Sequence, residues 1–296
     1  MIQDIEPRKF DITFKDMKPK NTDYALLFCE EFVLMKQPDG QERAAEFLTF
    51  NELNALEEVR EVKKRSTYLF SIDDNKYFSV NIPKEKEMDC RKKVIREGKV
   101  LAWISQNAFR ALKEKWLGFA GITAVQINRW FLNHRYCGRC GKPLIYSKTE
   151  RSLICENCHI TEYPKISPAI IVGIVDGDKL LLTRYADRPY KRYALIAGFS
   201  EVGEALEDTV KREVMEEVGL KVKDITYYKS QPWSFSDSLL AGFFARLDGD
   251  NTVTLADGEL AEGTWFSREQ IPVNQEEIAL TAEMIRYFAD GNDVFK

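Results

Sequence analysis

The 296 residues contain only two histidines, and no apolar run is longer than seven residues, as in AIIVGIV at 169–175. Such a run is far too short to span a bilayer, which takes about 20 residues. The opening MIQDIEPRKF is charged and has no apolar signal core, and the closing DVFK is not a peroxisomal address. Neither sign of charge dominates. With 43 Lys and Arg against 47 Asp and Glu, a net charge of −4 gives no global attraction for nucleic acid or an anionic membrane. Internal repeats and low-complexity segments are missing as well. These absences predict a cytoplasmic protein with no membrane partner. A hydrophobic content of 44% supplies real cores, and the length suits two domains or more.

Cysteine is scarce but patterned. Four of the six stand in two pairs, CGRC (Cys137, Cys140) and CENC (Cys155, Cys158), with 14 residues between them. Two such knuckles bring four thiolates around one tetrahedral zinc ion, and four thiolates leave no open position, so this zinc is expected to be structural. A redox role fits less well, since redox CxxC motifs come singly at a helix start. His134 and His159 flank the knuckles as bystanders. Cys29 and Cys90 are far apart and are expected to be reduced thiols.

The zinc segment divides unlike parts, and the chain reads as an α+β protein. Residues 1–130 form an α+β domain of short apolar runs and turn signals such as Pro38-Asp39-Gly40, ending in helical patterns. No chemical motif appears there. Residues 131–164 are the zinc ribbon and 165–296 the third segment, which opens with a hairpin turning at Asp176-Gly177-Asp178.

Next comes GFSEVGEALEDTVKREVMEEVGL, Gly198 to Leu220. Leu206, Val210, Val214 and Val218 form one helical stripe, with Gly219 as the stop. On that helix Glu213, Glu216 and Glu217 stand at i, i+3 and i+4, so three carboxylates share a face. Like charges this close, near the C-terminal end of a helix, are unfavourable unless compensated. A solvated acidic face is one explanation. Divalent cations such as Mg²⁺ or Mn²⁺, which take hard oxygen ligands and bind phosphate oxygens, are the other.

The spacing with the glycines decides between them. The stretch resembles the Nudix hydrolases, whose signature G-x5-E-x7-R-E-U-x-E-E-x-G-U (U a bulky aliphatic) is met at all nine positions by Gly198, Glu204, Arg212, Glu213, Val214, Glu216, Glu217, Gly219 and Leu220. The resemblance implies an α/β/α sandwich and a metal-dependent attack of water on a diphosphate joined to a nucleoside, with two or more Mg²⁺ or Mn²⁺ ions. It makes Glu213, Glu216 and Glu217 metal ligands, with the Ala197 carbonyl completing the shell and Glu259 added from outside the box, Glu262 being its fallback. Either Glu217 or Glu216 is then the general base, with Glu217 preferred. Arg212 and Glu204 fit a structural ion pair.

Ten residues after Leu220 the chain reads SQPWSFSDS, Ser230 to Ser238. This resembles S-Q-P-W-P-F-P-x-S, the mark of the NADH pyrophosphatase branch, at six of eight specified positions, with Ser234 and Ser236 in place of prolines. That branch also carries a four-cysteine ribbon before the Nudix domain and a Tyr-Pro pair, here Tyr163-Pro164. The resemblance covers about 120 to 296 and implies hydrolysis of NAD(H) to nicotinamide mononucleotide and AMP, and the removal of NAD caps from RNA 5′ ends. By it, Gln231, Pro232, Trp233, Ser234, Phe235, Ser236, Asp237 and Ser238 form a substrate loop. Phe199 stacks on a substrate ring with Tyr163 of the partner subunit of a homodimer, and Ala279 offers backbone to the substrate. From the residues themselves, Gln231 has an amide able both to donate and to accept, Trp233 and Phe235 serve either substrate or a sheet edge, and two serines for prolines are expected to loosen the loop. A broader nucleoside diphosphate hydrolase acting on ADP-ribose, and a zinc-ribbon nucleic-acid or partner-binding module on an inactive scaffold, are the competing readings. Six Lys or Arg against three Glu over 131–165 make the ribbon only mildly basic.

Overall fold

The computed structural model describes residues 1–37, 42–55, 66–81, 94–96, 99–186, 192–255, 258, 260–272 and 278–295. The Pro38-Asp39-Gly40 turn, Cys90 and Glu259 lie outside them. Two compact units are present: Ile2–Lys165, and Ile166–Lys296 together with Met1.

The first unit holds β1 (Phe10–Asp11), β2 (Tyr24–Cys29), β3 (Phe32–Gln37), β4 (Glu46–Thr49), α1 (Phe50–Asn54), β5 (Thr67–Ile72), β6 (Asn75–Asn81), β7 (Val94–Arg96), β8 (Lys99–Ser105) and α2 (Lys115–Asn133). Its eight strands lie in the order β1-β5-β6-β2-β4-β3-β8-β7. Ala25, Leu27, Leu34, Leu48, Tyr68, Phe78 and Val80 meet Phe50 and Leu53 of α1 in one core. α1 starts at a capping box in which the Thr49 hydroxyl accepts from Glu52 N at 3.3 Å and the Glu52 carboxylate accepts from Thr49 N at 2.9 Å. α2 lies close against Phe109, because a β-carbon on Gly121 would come within 2.3 Å of that ring. Cys29, expected as a reduced thiol, is disulfide-bonded. Separation along the chain does not reveal which thiols meet in space.

The ribbon adds β9 (Ile145–Tyr146), β10 (Leu153–Cys155) and β11 (Ile160–Glu162) in a small antiparallel sheet. It belongs to the same compact unit as the eight-stranded sheet. Arg151 explains much of this attachment. Its guanidinium donates to the carbonyl oxygens of Ile12, at 3.1 Å, and of Leu69, where β5 shifts register against β6.

The second unit contains β12 (Ser167–Asp176), β13 (Lys179–Tyr185), β14 (Ile196–Phe199), α3 (Leu206–Val218), β15 (Val222–Trp233), β16 (Ser238–Leu247), β17 (Leu260–Ser267) and α4 (Leu280–Ala289). The sheet order is β15-β16-β12-β13-β17, with β14 paired to β12 and a parallel central pair, β12 and β16. Gly177, at φ 62°, gives the two-residue turn between β12 and β13 its required conformation. The apolar run in β12 is continuous because both its faces are covered. Ile170, Val172 and Ile174 pack with Val210, Val214 and Val218 of α3, while Ile171 and Val175 pack with Leu280, Met284, Ile285 and Phe288 of α4. Each such aliphatic side chain contributes about 1.5–3 kcal/mol by leaving water. The result is the α/β/α sandwich, with Gly219 in the left-handed conformation (φ 68°) ending α3 as the stripe predicts.

Candidate active site

α3 carries the three acidic residues, and one guanidinium organises them. Arg212 donates to both oxygens of Glu204 at 2.6 and 2.9 Å, to Glu213 at 2.8 Å, to Glu216 at 2.9 Å and to the Phe199 carbonyl at 2.9 Å. Glu204 also accepts from Glu201 N at 3.0 Å and from the Thr209 hydroxyl at 2.9 Å. Those bonds, the Arg212 bond first, draw its carboxyl down to about 2. Glu204 thus clamps the loop between β14 and α3, while Glu213 and Glu217 are turned inward and Glu216 outward, with exposures of 14%, 7% and 59%.

Gly198 fixes where Glu213 lies. A β-carbon at residue 198 would fall 1.9 Å from the Glu213 carboxyl carbon, so only glycine leaves room for that carboxylate against β14. Three carboxylates (Glu204, Glu213 and Glu216) bond one guanidinium, and Glu217 follows on the same helix. These are hard oxygen donors with excess negative charge, the kind Mg²⁺ or Mn²⁺ takes, but their oxygens are not drawn into a close group of three or more in this structure. Of the acidic residues expected from later in the chain, Glu259 is outside the described residues and Glu262 is engaged elsewhere. The Glu262 carboxylate accepts from Arg184, from the Tyr193 hydroxyl at 2.8 Å and from the Thr264 hydroxyl at 2.9 Å.

On the pocket side of β14, opposite sequence segments converge on a cavity of about 420 Å³. Ala197, Gly198 and Phe199 supply one wall, Gln231, Trp233, Ser236 and Ser238 another, and Ala279 a third. Phe199 is 53% exposed there. Tyr185, Leu240 and Thr281 also line it, and among the described residues no charged side chain does. Pro232, Ser234, Phe235 and Asp237 are not in this wall: Ser234 is buried, and Phe235 lies 4.9 Å from the Trp233 ring in a tilted pair.

The segment expected to be a polar loop is mainly sheet. Ser230 to Trp233 end β15, Ser238 begins β16, and Trp233 pairs with Ser238, leaving a four-residue turn. Ser236 N donates to the Trp233 carbonyl at 3.2 Å, a bond that proline there would delete. The expected loosening is therefore offset at residue 236. Asp237 sits at φ 55° and its carbonyl accepts from Ser167 N at 2.7 Å. Gln231, read from sequence as a substrate contact, has its amide committed to backbone: Nε2 donates to Ile278 O at 2.8 Å and Oε1 accepts from Leu280 N at 2.7 Å. It braces the entry of α4, where Ala279 is the N-cap residue.

In the first unit the four cysteine sulfurs lie within 4.8 Å of one another, the one such group of three or more candidate ligands among the described residues. Gly141 and His159, each following the second cysteine of its knuckle, both take positive φ (70° and 54°), which turns the chain back around the thiols. The Lys142 backbone N–H draws the Cys140 thiol down to about 7, and Cys140 in turn holds the Cys158 thiol above its ordinary value. Tyr163 belongs to this unit, 58% exposed, its hydroxyl donating to Glu150 at 3.1 Å.

Comparison with known families matches residues 165–290 to the model described as NUDIX domain. The chain carries a Nudix domain. Residues 132–163, directly before it, match the NADH pyrophosphatase zinc ribbon domain. Proteins named NAD-capped RNA hydrolase NudC from Salmonella heidelberg (strain SL476) and Escherichia coli O9:H4 (strain HS) are each 42% identical over 149 residues, covering 50% of this chain and 58% of theirs. The chain thus matches little more than half the length of these relatives. A solved Nudix hydrolase from Nitrosomonas europaea has 24% identity and a TM-score of 0.47 over 55% of this chain and 96% of its own.

Within the Nudix domain, periodicity located the acidic helix but gave no sign of Tyr185, Leu240 or Thr281 in the pocket. Their types are ordinary for strand and helix ends, and only the folded sheet brings them beside β14. Thr209, which supports Glu204, carried one weak signal: it lies one turn into the helix, within reach of the loop it follows. Among the described residues, no helix is long and apolar enough to cross a membrane.

Proposed function

We propose that the protein hydrolyses the pyrophosphate bond of NAD(H) to nicotinamide mononucleotide and AMP, and acts on the same bond in NAD-capped RNA. The observation that carries this reading is the adjacency of two unlike surfaces on one strand. β14 presents Phe199 to an uncharged, partly aromatic pocket, and its Gly198 bears the Glu213 carboxylate of the acidic helix. A dinucleotide has the matching halves, a flat ring and a diphosphate. The zinc ribbon domain and the NAD-capped RNA hydrolases at 42% identity support the choice of dinucleotide.

In this reading Glu213, Glu216, Glu217 and the Ala197 carbonyl would hold Mg²⁺ or Mn²⁺, with Glu259 as a further ligand. The bound cations would neutralise the diphosphate and make water acidic enough to attack it. Glu217 takes the proton from the attacking water, its burial favouring it over the outward Glu216. Arg212 and Glu204 keep Glu213 in register, and Phe199 and Trp233 orient the ring. The ribbon holds one structural zinc through Cys137, Cys140, Cys155 and Cys158. The reading includes a homodimer, which sedimentation would test.

The test is turnover of NADH, NAD⁺, ADP-ribose and NAD-capped RNA with Mg²⁺ or Mn²⁺, with products identified. Release of nicotinamide mononucleotide and AMP, lost in Glu217→Gln, is expected. Efficient cleavage of ADP-ribose with NADH and NAD⁺ left intact would overturn the choice of substrate.

A further inference from the structure

The hydroxyls of Ser236 and Ser238 face each other at 2.9 Å, and both residues line the pocket. Their protons can be assigned from geometry. Ser238 Oγ also lies 3.1 Å from the Ser236 carbonyl oxygen, as a donor to it. A carbonyl has no proton to give, and each hydroxyl has one. The arrangement that satisfies both contacts sends the Ser238 proton to the carbonyl and the Ser236 proton to Ser238 Oγ. Ser238 is 3% exposed at the start of β16, whereas Ser236, in the turn, is exposed. The Ser236 oxygen therefore meets the cavity with acceptor lone pairs and no free proton.

We propose that Ser236 Oγ makes the pocket selective for a ring bearing a neutral –NH₂ group over the same ring with an oxygen acceptor or an anion in that place. This rests on the reading above, in which the pocket takes one ring of a dinucleotide. An –NH₂ group donates into the waiting lone pairs. A carboxylate or carbonyl oxygen meets them with like polarity, and among the described residues no cation lines the pocket to offset it. Two rings of such a substrate carry the group: the nicotinamide carboxamide and the exocyclic amine of adenine. Proline, which stands at this position in the motif the segment resembles, has no hydroxyl, so the discrimination belongs to the serine.

Mononucleotides test this by equilibrium binding. They have no pyrophosphate bond, so the result stays readable if the dinucleotide assay fails, and the two failures are told apart. The paired probes are nicotinamide against nicotinic acid mononucleotide, and AMP against IMP. The wild type is expected to prefer the amino form in one pair by about tenfold. Ser236→Ala should bring that ratio to about twofold or less, and Ser236→Thr should preserve it. The pair that responds identifies the ring. Ser238→Ala, which frees the Ser236 proton to donate, should lower the same ratio by strengthening binding of the oxygen form, and it serves as the second variant if Ser236→Ala melts early. A wild type with no preference in either pair, or a preference that survives Ser236→Ala or Ser238→Ala in folded protein, would overturn the proposal.

Discussion

The Glu213 carboxylate fills the space that a β-carbon on residue 198 would occupy, 1.9 Å from its carboxyl carbon. The glycine is thus a steric condition for the position of an acid. Gly198→Ala should displace Glu213 and lower kcat by about a hundredfold or more, as a misplacement of about 1 Å does. Because the strand can keep its pairing with β12, the melting temperature should change little. Steady-state kinetics beside a thermal melt checks both statements.

The three box acids should not be equivalent. Glu217→Gln is expected to cost about 10² to 10⁴ in kcat, the range for a lost general base. Glu216→Gln, exposed and bonded to Arg212, should cost less. If Glu216→Gln proved the more damaging, the base would have to be reassigned.

Glu204 gives a pH dependence with a definite sign. Its carboxyl is held at about 2, below the ordinary 4.5, by the Arg212 hydrogen bond first and the Glu201 N–H second. A lowered acid contributes stability that is fully present above 4.5 and is lost as pH falls through about 2. Melting temperature should therefore decline over that window, and Glu204→Gln should be less stable at neutral pH and flatter across the window. An unchanged slope in the variant would assign the acid sensitivity to other groups.

Gln231→Ala removes both bonds that brace the entry of α4 and leaves Ile278 O and Leu280 N without that partner. A loss of about 2–4 kcal/mol is expected in denaturant unfolding. Gln231→Glu keeps the acceptor for Leu280 N but sets a carboxylate oxygen against Ile278 O, so it should rescue only part of the loss.

Cys155→Ser should release zinc, measured by metal analysis of the purified protein. Protease sensitivity should then rise within Ile2–Lys165, since the ribbon and the eight-stranded sheet share that unit and Arg151 joins them. Retention of zinc at full stoichiometry would show that three thiolates suffice.

The sequence by itself determined the features whose geometry is local. Glu213 and Glu217 point inward together from α3 because a helix brings i and i+4 to one side, whereas Glu216, at i+3, lies on the outer edge of that face. Gly219 ends α3, Gly177 turns the hairpin, and two CxxC knuckles need only a short return to gather four thiols. Tertiary structure decided everything that depends on a distant partner. It turned most of SQPWSFSDS into paired strand, and it spent the Gln231 amide on a helix 49 residues away. It also committed Glu262 to Arg184 and set the Ser236 hydroxyl against that of Ser238. A side chain's type states which bonds it can make. Which of them it does make depends on what the fold brings within about 3 Å.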